Sequence, residues 1–268
     1  MTSQLPPKIF DHKVLRNCRD RSIANFHNYN FIHHLISDLI LESIIEQNHN
    51  YNDILEIGAL DHYLINNIRH KLPKSNLFSS DISSNCMKLD DHSKKVIMND
   101  EFIAFKEESF DLICSNMNAH FYNDLLGFFI QSYYALKNNG FFIASFIAQN
   151  SFSILKKVFN VIEVEKYQRF VPRLLPTTDV KTAGMLLQKS GFSDIVSMIE
   201  EVNIDYDDPK NIFLDIKNSA GSNIMFDRSK KFITKSFFND ICQELEKNKI
   251  GGKIKVNLNI IIISGWKK

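Results

Sequence analysis

The chain has 268 residues, 44% of them hydrophobic and 24% charged. That suits a soluble globular protein with one good core, or one core and a small appendage. With 32 basic and 31 acidic side chains the net charge is +1, so no overall field draws nucleic acid or anionic lipid, and neither is expected as a partner. Cys18, Cys86, Cys114 and Cys242 show neither CxxC nor zinc spacing; they read as reduced thiols, and no metal is expected. The longest apolar runs, 140–148 and 260–263, fall far short of the roughly 20 residues that span a bilayer. Without a signal-like N-terminus either, the expectation is a cytoplasmic protein with no integral membrane segment.

In chain order, residues 9–48 carry apolar positions at helical spacing, which predicts two helices with a break at Asn28-Tyr29-Asn30. From 53 the pattern changes. DILEIG is a short apolar run closed by glycine, a buried strand. A helix over 62–71 and a Pro-Lys-Ser-Asn turn follow. Strands are predicted at 77–83, 94–100, 110–116 and 137–147, with a helix over 123–137. Strands alternating with helices imply a parallel sheet covered on both faces. Residues 151–192 read as helical around a proline-rich break at 171–178. A strand at 195–206, helices at 209–223 and 228–248, and a last strand at 255–266 complete the chain.

Three successive strands end in Glu56-Ile57-Gly58, Ser80-Asp81 and Asn99-Asp100. Ligands of open parallel sheets sit beyond the carboxyl ends of the strands. An acid closing the second strand suits the two hydroxyls of a ribose, and one closing the third suits the exocyclic amine of an adenine. Aspartate also caps helices, so each acid alone is weak; three in sequence are harder to attribute to capping. A dinucleotide needs a full glycine triplet at an open helix N-terminus for its pyrophosphate. The loop Gly58-Ala59-Leu60-Asp61-His62 lacks it, and fits S-adenosylmethionine better.

The segment SFDLICSNMNAHFYNDLLGFFIQSYYALKNNGFFIASF (109–146), with IFDHKVLRNCRDRSIANFHNYNFI (9–32), KTAGMLLQKSGF (181–192), the Gly-Ser-Asn turn (221–223) and the closing ISGWKK (263–268), resembles the class I S-adenosylmethionine-dependent methyltransferases of the type 11 group. Within that group it is similar to bacterial relatives of the mitochondrial complex I assembly factor that acts as a protein-arginine hydroxylase. More distantly it resembles the malonyl-carrier-protein methyltransferase of biotin synthesis. The resemblance implies a Rossmann-like α/β sandwich: a mostly parallel seven-stranded sheet, an antiparallel last strand, an N-terminal helical lid (1–50) and a methyltransferase-like domain (51–268) with helical insertions at about 151–192 and 209–250. It implies that Glu56, Gly58, Asp81, Ile82, Asn99, Asp100 and Asn116 hold the cofactor: Glu56 and Asn116 at the methionine ammonium, Ile82 on the adenine face. His120 and Tyr122 are the candidates for catalysis, His120 as a general base near pH 7.

The loop departs from the family's pattern at Leu60 and His62. Side chains there imply positive φ without glycine, a strain of about 1–2 kcal/mol, and intrude on the methionine end of the pocket. The resemblance implies a protein substrate as partner, such as a subunit of respiratory complex I, and a place peripheral to the inner membrane through that partner. A guanidinium substrate would call on acids such as Asp205, Asp207 and Asp208, and the 220–223 turn with Arg228 would border its entrance. Three readings stay open: an enzyme that methylates or hydroxylates a protein, a degenerate methyltransferase fold serving as an assembly scaffold, and methyl-ester formation on a carrier protein.

Overall fold

The computed structural model describes residues 8–89, 92–168, 171–230 and 233–268; expectations that fall on the other positions lie outside them. Two helices, α1 (His12–Ser22) and α2 (Phe31–Glu46), precede the first strand. Asp11 caps α1 by accepting from Lys13 N and Val14 N. Then come β1 (Asp53–Ile57), α3 (Tyr63–Lys71), β2 (Asn76–Asp81), β3 (Lys94–Ile97), β4 (Phe110–Ser115), α4 (Leu125–Ala135) and β5 (Leu136–Ile147). The C-terminal part adds α5 (Ser153–Asn160), α6 (Val180–Lys189), β6 (Ser193–Tyr206), α7 (Pro209–Asn218), α8 (Lys235–Lys247) and β7 (Ile254–Trp266). Asp124, Asp179, Asp208 and Thr234 cap α4, α6, α7 and α8 through their side chains, each satisfying a backbone N–H that the helix leaves unpaired.

All seven strands form one sheet in the order β3-β2-β1-β4-β5-β7-β6. Pairing is parallel from β3 to β5, and β7 runs antiparallel to both β5 and β6. The expected sheet, with its antiparallel last strand, is therefore present. The run Ile260-Ile261-Ile262-Ile263 shows why these strands lack polar alternation. Ile260 and Ile262 pack on the face covered by α2 and α3, while Ile261 and Ile263 pack beneath α4 and α6. Both faces are buried, so every position of a central strand must be apolar. A third apolar cluster joins α5, α7 and α8 to the ends of β6 and β7 through Tyr206, Ile254 and Val256.

At the other end, Ile9 N and Phe10 N donate to Asn123 Oδ1 at 2.6 and 2.8 Å, and Asp11 N donates to Ile224 O at 2.8 Å. These bonds lay α1 across the carboxyl ends of the strands, where Leu15 and Cys18 meet Ile82, Phe121, Ile224 and Met225.

Phe142 sits in the middle of β5, fully buried among Phe128, Phe129 and Phe192. Phe142→Ala is expected to destabilise the fold by about 3–5 kcal/mol, read as a lower urea midpoint at unchanged slope.

Candidate functional site

The sheet order reverses between β1 and β4, the place where an open α/β sheet leaves a crevice. Gly58 leaves β1 there at φ +76°. Its N–H and that of Ala59 both donate to Ser80 O at 2.9 Å, tying the loop to β2. A Cβ on Gly58 would lie 2.0 Å from Asn118 Nδ2, so close approach and positive φ both demand glycine. Two other loop residues share the left-handed region without being glycine, Leu60 at φ +22° and His62 at φ +60°. Neither is wasted on solvent. The buried His62 ring places Nε2 3.1 Å from Cys86 O, and Leu60 packs with Phe26, Cys86 and Ala220. Burial of this kind offsets the backbone strain. Glu56, also buried, accepts from Ile65 N at 3.1 Å and so fastens the first turn of α3.

Asp81 and Asp100 come together beyond β2 and β3 around a residue on which the sequence reading was silent. Arg19 of α1 is only 2% exposed. Its Nη1 donates to Asp81 Oδ2 and, at 3.3 Å, to Asp100 Oδ2, and its Nη2 donates to Asn118 Oδ1. Asn118 Nδ2 in turn donates to Asp100 Oδ2 at 3.1 Å and to Tyr122 Oη at 2.7 Å. The signal for Arg19 lies in its register. Leu15, Cys18, Arg19 and Ser22 form the buried stripe of α1, and an arginine in such a stripe needs buried acids to pair with. Burial, followed by the nearby Asp81 charge, pushes the Asp100 carboxyl up to about 7 against the pull of Arg19. Burial weakens the Arg19 charge, but the two carboxylates outweigh it and raise its pKa above the ordinary range. Two buried atoms of the cluster have no hydrogen-bond partner, Arg19 Nε and Asp100 Oδ1.

The other expected residues are spread around this corner. Ile82 is buried under α1, and its carbonyl accepts from Arg16 Nε at 3.1 Å. Asn99 lies 2.9 Å from His12 Nδ1 through its Nδ2. Asn116 donates to His33 O and Ser37 Oγ, both at 2.8 Å, and accepts from Ser145 Oγ at 2.8 Å, so its side chain joins β4 to α2 and β5. Burial drives the Tyr122 hydroxyl well above its ordinary pKa, and Tyr122 belongs to the apolar core. Burial, with His33 and Arg19 adding to it, lowers His120 to about 3. The ring is therefore neutral at pH 7, and the titration near neutrality expected of it is lost.

Beside the corner opens a cavity of about 190 Å³. Arg19, His33 and His120 lie in its wall, with Leu60, Met117 and Phe121. Further walls come from Phe152 just before α5, α5 itself (Leu155, Phe159), β6 (Ile204, Tyr206), α7 (Phe213, Asp215, Ile216) and the 219–223 turn. Ala220, Gly221 and Asn223 border this cavity, while Arg228 faces Asp11 at 3.9 Å. The acids proposed for a guanidinium lie elsewhere: Asp207 pairs with Lys253 at 2.6 Å and Asp208 caps α7. His34 pairs with Asp61 at 2.7 Å and stacks on Tyr63, fastening α2 to the loop after β1.

Residues 55–144 match the family model described as a methyltransferase domain. The zebrafish (Danio rerio) arginine-hydroxylase NDUFAF5, mitochondrial, is 24% identical over 267 residues, covering 97% of this chain and 83% of that protein. Among solved structures, the YcgJ protein of Bacillus subtilis superposes with a TM-score of 0.58 at 14% identity, over 85% of this chain and 97% of that one. Phosphoethanolamine N-methyltransferase 2 of Haemonchus contortus, solved in complex with S-adenosyl-L-methionine, superposes with a TM-score of 0.57 at 15% identity, over 94% of this chain and 60% of that one. The chain is methyltransferase-like in its domain and in its fold.

The buried cluster sets two expectations. Arg19→Met strands two carboxylates and is expected to cost about 3–5 kcal/mol in chemical denaturation. A carboxyl raised from 3.8 to about 7 on folding supplies stability that is present below about pH 4 and lost as pH rises to about 7. Asp100→Asn removes that dependence, so its melting temperature should gain on the wild type steadily across this window. A constant difference between the two proteins would show that Asp100 does not titrate there.

Proposed function

We propose that the chain binds S-adenosylmethionine at the corner over Gly58, and that it is an enzyme acting on a protein substrate in the assembly of respiratory complex I. The observation carrying this reading is the pair of strand-end carboxylates, one of which keeps a buried acceptor, Asp100 Oδ1, without a partner. Such an atom suits an N–H or O–H of an adenosine group, and the residues present fit the cofactor at that end. Asp81 would take the ribose hydroxyls, Asp100 the adenine amine and Ile82 the ring face. Gly58, Glu56 and Asn116 would border the methionine part. When bound, the cofactor supplies an activated methyl group.

This chain's residues do the rest. Arg19 holds both carboxylates ionised or hydrogen-bonded in a dry site, and it must release at least part of them to a bound nucleoside. It comes from α1, outside the sheet, so the exchange leaves the strand ends in place. Methyl transfer is an in-line displacement that depends on positioning more than on a strong base, which agrees with a neutral His120 in the cavity wall. Between methylation and hydroxylation, the domain match over residues 55–144 favours methylation. The hydroxylase relative is the reason to look for the substrate among proteins. No helix of the described residues is long and apolar enough to cross a membrane, so work beside the inner membrane would go through a partner.

A second reading, a methyltransferase fold kept as an assembly scaffold, is favoured by one observation. Asn118, held by Arg19, already occupies the ground above Gly58. Calorimetric titration with S-adenosylmethionine separates the two. The enzyme reading expects micromolar affinity that falls at least tenfold in Asp81→Ala, roughly the loss of one charge-assisted hydrogen bond or more. Absence of heat from both folded proteins would leave the scaffold reading standing.

A further inference from the structure

Helix α1 meets the corner along one face. His12, Arg16, Arg19 and Asp20 follow the i, i+4, i+7, i+8 spacing that sets side chains on one side of a helix. Each of them reaches a strand end. His12 Nδ1 lies 2.9 Å from Asn99 Nδ2, Arg16 Nε donates to Ile82 O at 3.1 Å, and Asp20 Oδ1 accepts from Ser83 Oγ. Arg19 takes Asp81, Asp100 and Asn118. Asp81, Ile82 and Asp100, given above to the adenosine, and Asn99 beside them are therefore the residues that α1 already holds.

A helix seated in this way leaves a nucleoside no place. Asp81, Ile82 and Asp100 are at most 3% exposed, and neither they nor Asn99 border the cavity beside the corner. Leu15 and Cys18 cover Ile82. A ribose and an adenine would need the same carboxylate oxygens and the same apolar face, so seated helix and bound nucleoside exclude each other.

The helix is also separable from the rest of the fold. Its apolar residues belong to neither of the two large clusters that sandwich the sheet, but to a small one at the strand ends. Lifting it breaks no strand pair. Its fit is incomplete, because Arg19 Nε and Asp100 Oδ1 stay buried without partners, a cost that opposes closure. Units with few ties to the main core open locally while the remainder stays folded.

We propose that α1 is a self-occluding latch: its stripe of His12, Arg16, Arg19 and Asp20 competes with the nucleoside for the strand ends, and cofactor entry unseats the whole helix. The inference rests on the corner being the S-adenosylmethionine site, and it adds the sign of the coupling. A cover that closed over its ligand would become tighter on binding, whereas this latch opens.

The test labels the whole chain with N-ethylmaleimide and maps the thiols by mass spectrometry. Cys18 lies beneath α1, and the fully buried Cys114 of β4 serves as the reference for global unfolding. Cys18 is expected to react about tenfold faster than Cys114, or more, before any ligand is added. Saturating S-adenosylmethionine should speed Cys18 about tenfold again and leave Cys114 no faster. In parallel, calorimetry compares the wild type with Arg16→Ala/Asp20→Ala, two changes outside the residues given to the cofactor and at positions that are exposed or partly so. Loosening the latch there should tighten the cofactor about tenfold, since less of its binding free energy is spent on opening. Cys18 reacting no faster than Cys114, cofactor binding that slows or does not change Cys18, or an affinity unimproved in the double variant each overturns the latch. Binding that leaves Cys18 protected sinks the latch alone, while absence of heat from both folded proteins sinks the cofactor reading together with it.

Discussion

The guanidinium of Arg19 is the tie on which the corner depends. Two aspartates close neighbouring strands, and neither end of the sheet offers them another cation among the described contacts. Like charges at that distance in a dry site cannot both remain ionised without one. Arg19 lets Asp81 and Asp100 stand side by side, and Asn118 extends the arrangement across to β4 and down onto Gly58. The same contact gives α1 its place, because the helix has only 11 residues and would be marginal alone. One side chain thus joins a helix outside the methyltransferase match to the strand ends inside it.

The loop after β1 shows how such a site can lose glycines without losing its course. Gly58 cannot change, being pressed against Asn118. Leu60 and His62 do take left-handed conformations, and each acquires a buried setting, in the Phe26–Cys86–Ala220 cluster and against the Cys86 carbonyl. A residue whose side chain contributes packing can hold a backbone conformation that its Cβ disfavours.

Most of the sheet was legible because its signals are local and repeated. Apolar runs bounded by glycine or acid mark β1, β2 and β4 to within a residue or two, and the tetra-isoleucine run marks β7. The strand-end acids were legible for the same reason. Arg19 was not, because its meaning comes from partners 62 and 81 residues away, and an Arg-rich helix usually reads as a solvated face. The buried register of Leu15, Cys18 and Ser22 was the available clue. The cavity was illegible in another way. Its walls come from α1, α2, α5, β6, α7 and several loops, and nothing in the sequence says that Phe159 and Phe213 share a cavity wall while Asp207 and Asp208 point to other duties. His120 was found as a residue, but its surroundings, which set its charge, are a property of the assembled fold.

The place of β7 in the sheet has a consequence for the chain as it is made. This strand lies between β5 and β6, yet it is the last to be synthesised. At about 5–20 residues per second, the edge of β5 waits on the order of ten seconds for its neighbour. That edge is Gly140-Phe141-Phe142-Ile143-Ala144-Ser145-Phe146-Ile147, a long uncharged stretch of high β-propensity without proline, the composition that pairs readily with a copy of itself. A ribosome paused before residue 254 would therefore hold out a sticky strand whose proper cover has not yet been translated, and polysomes would bring several such edges close together.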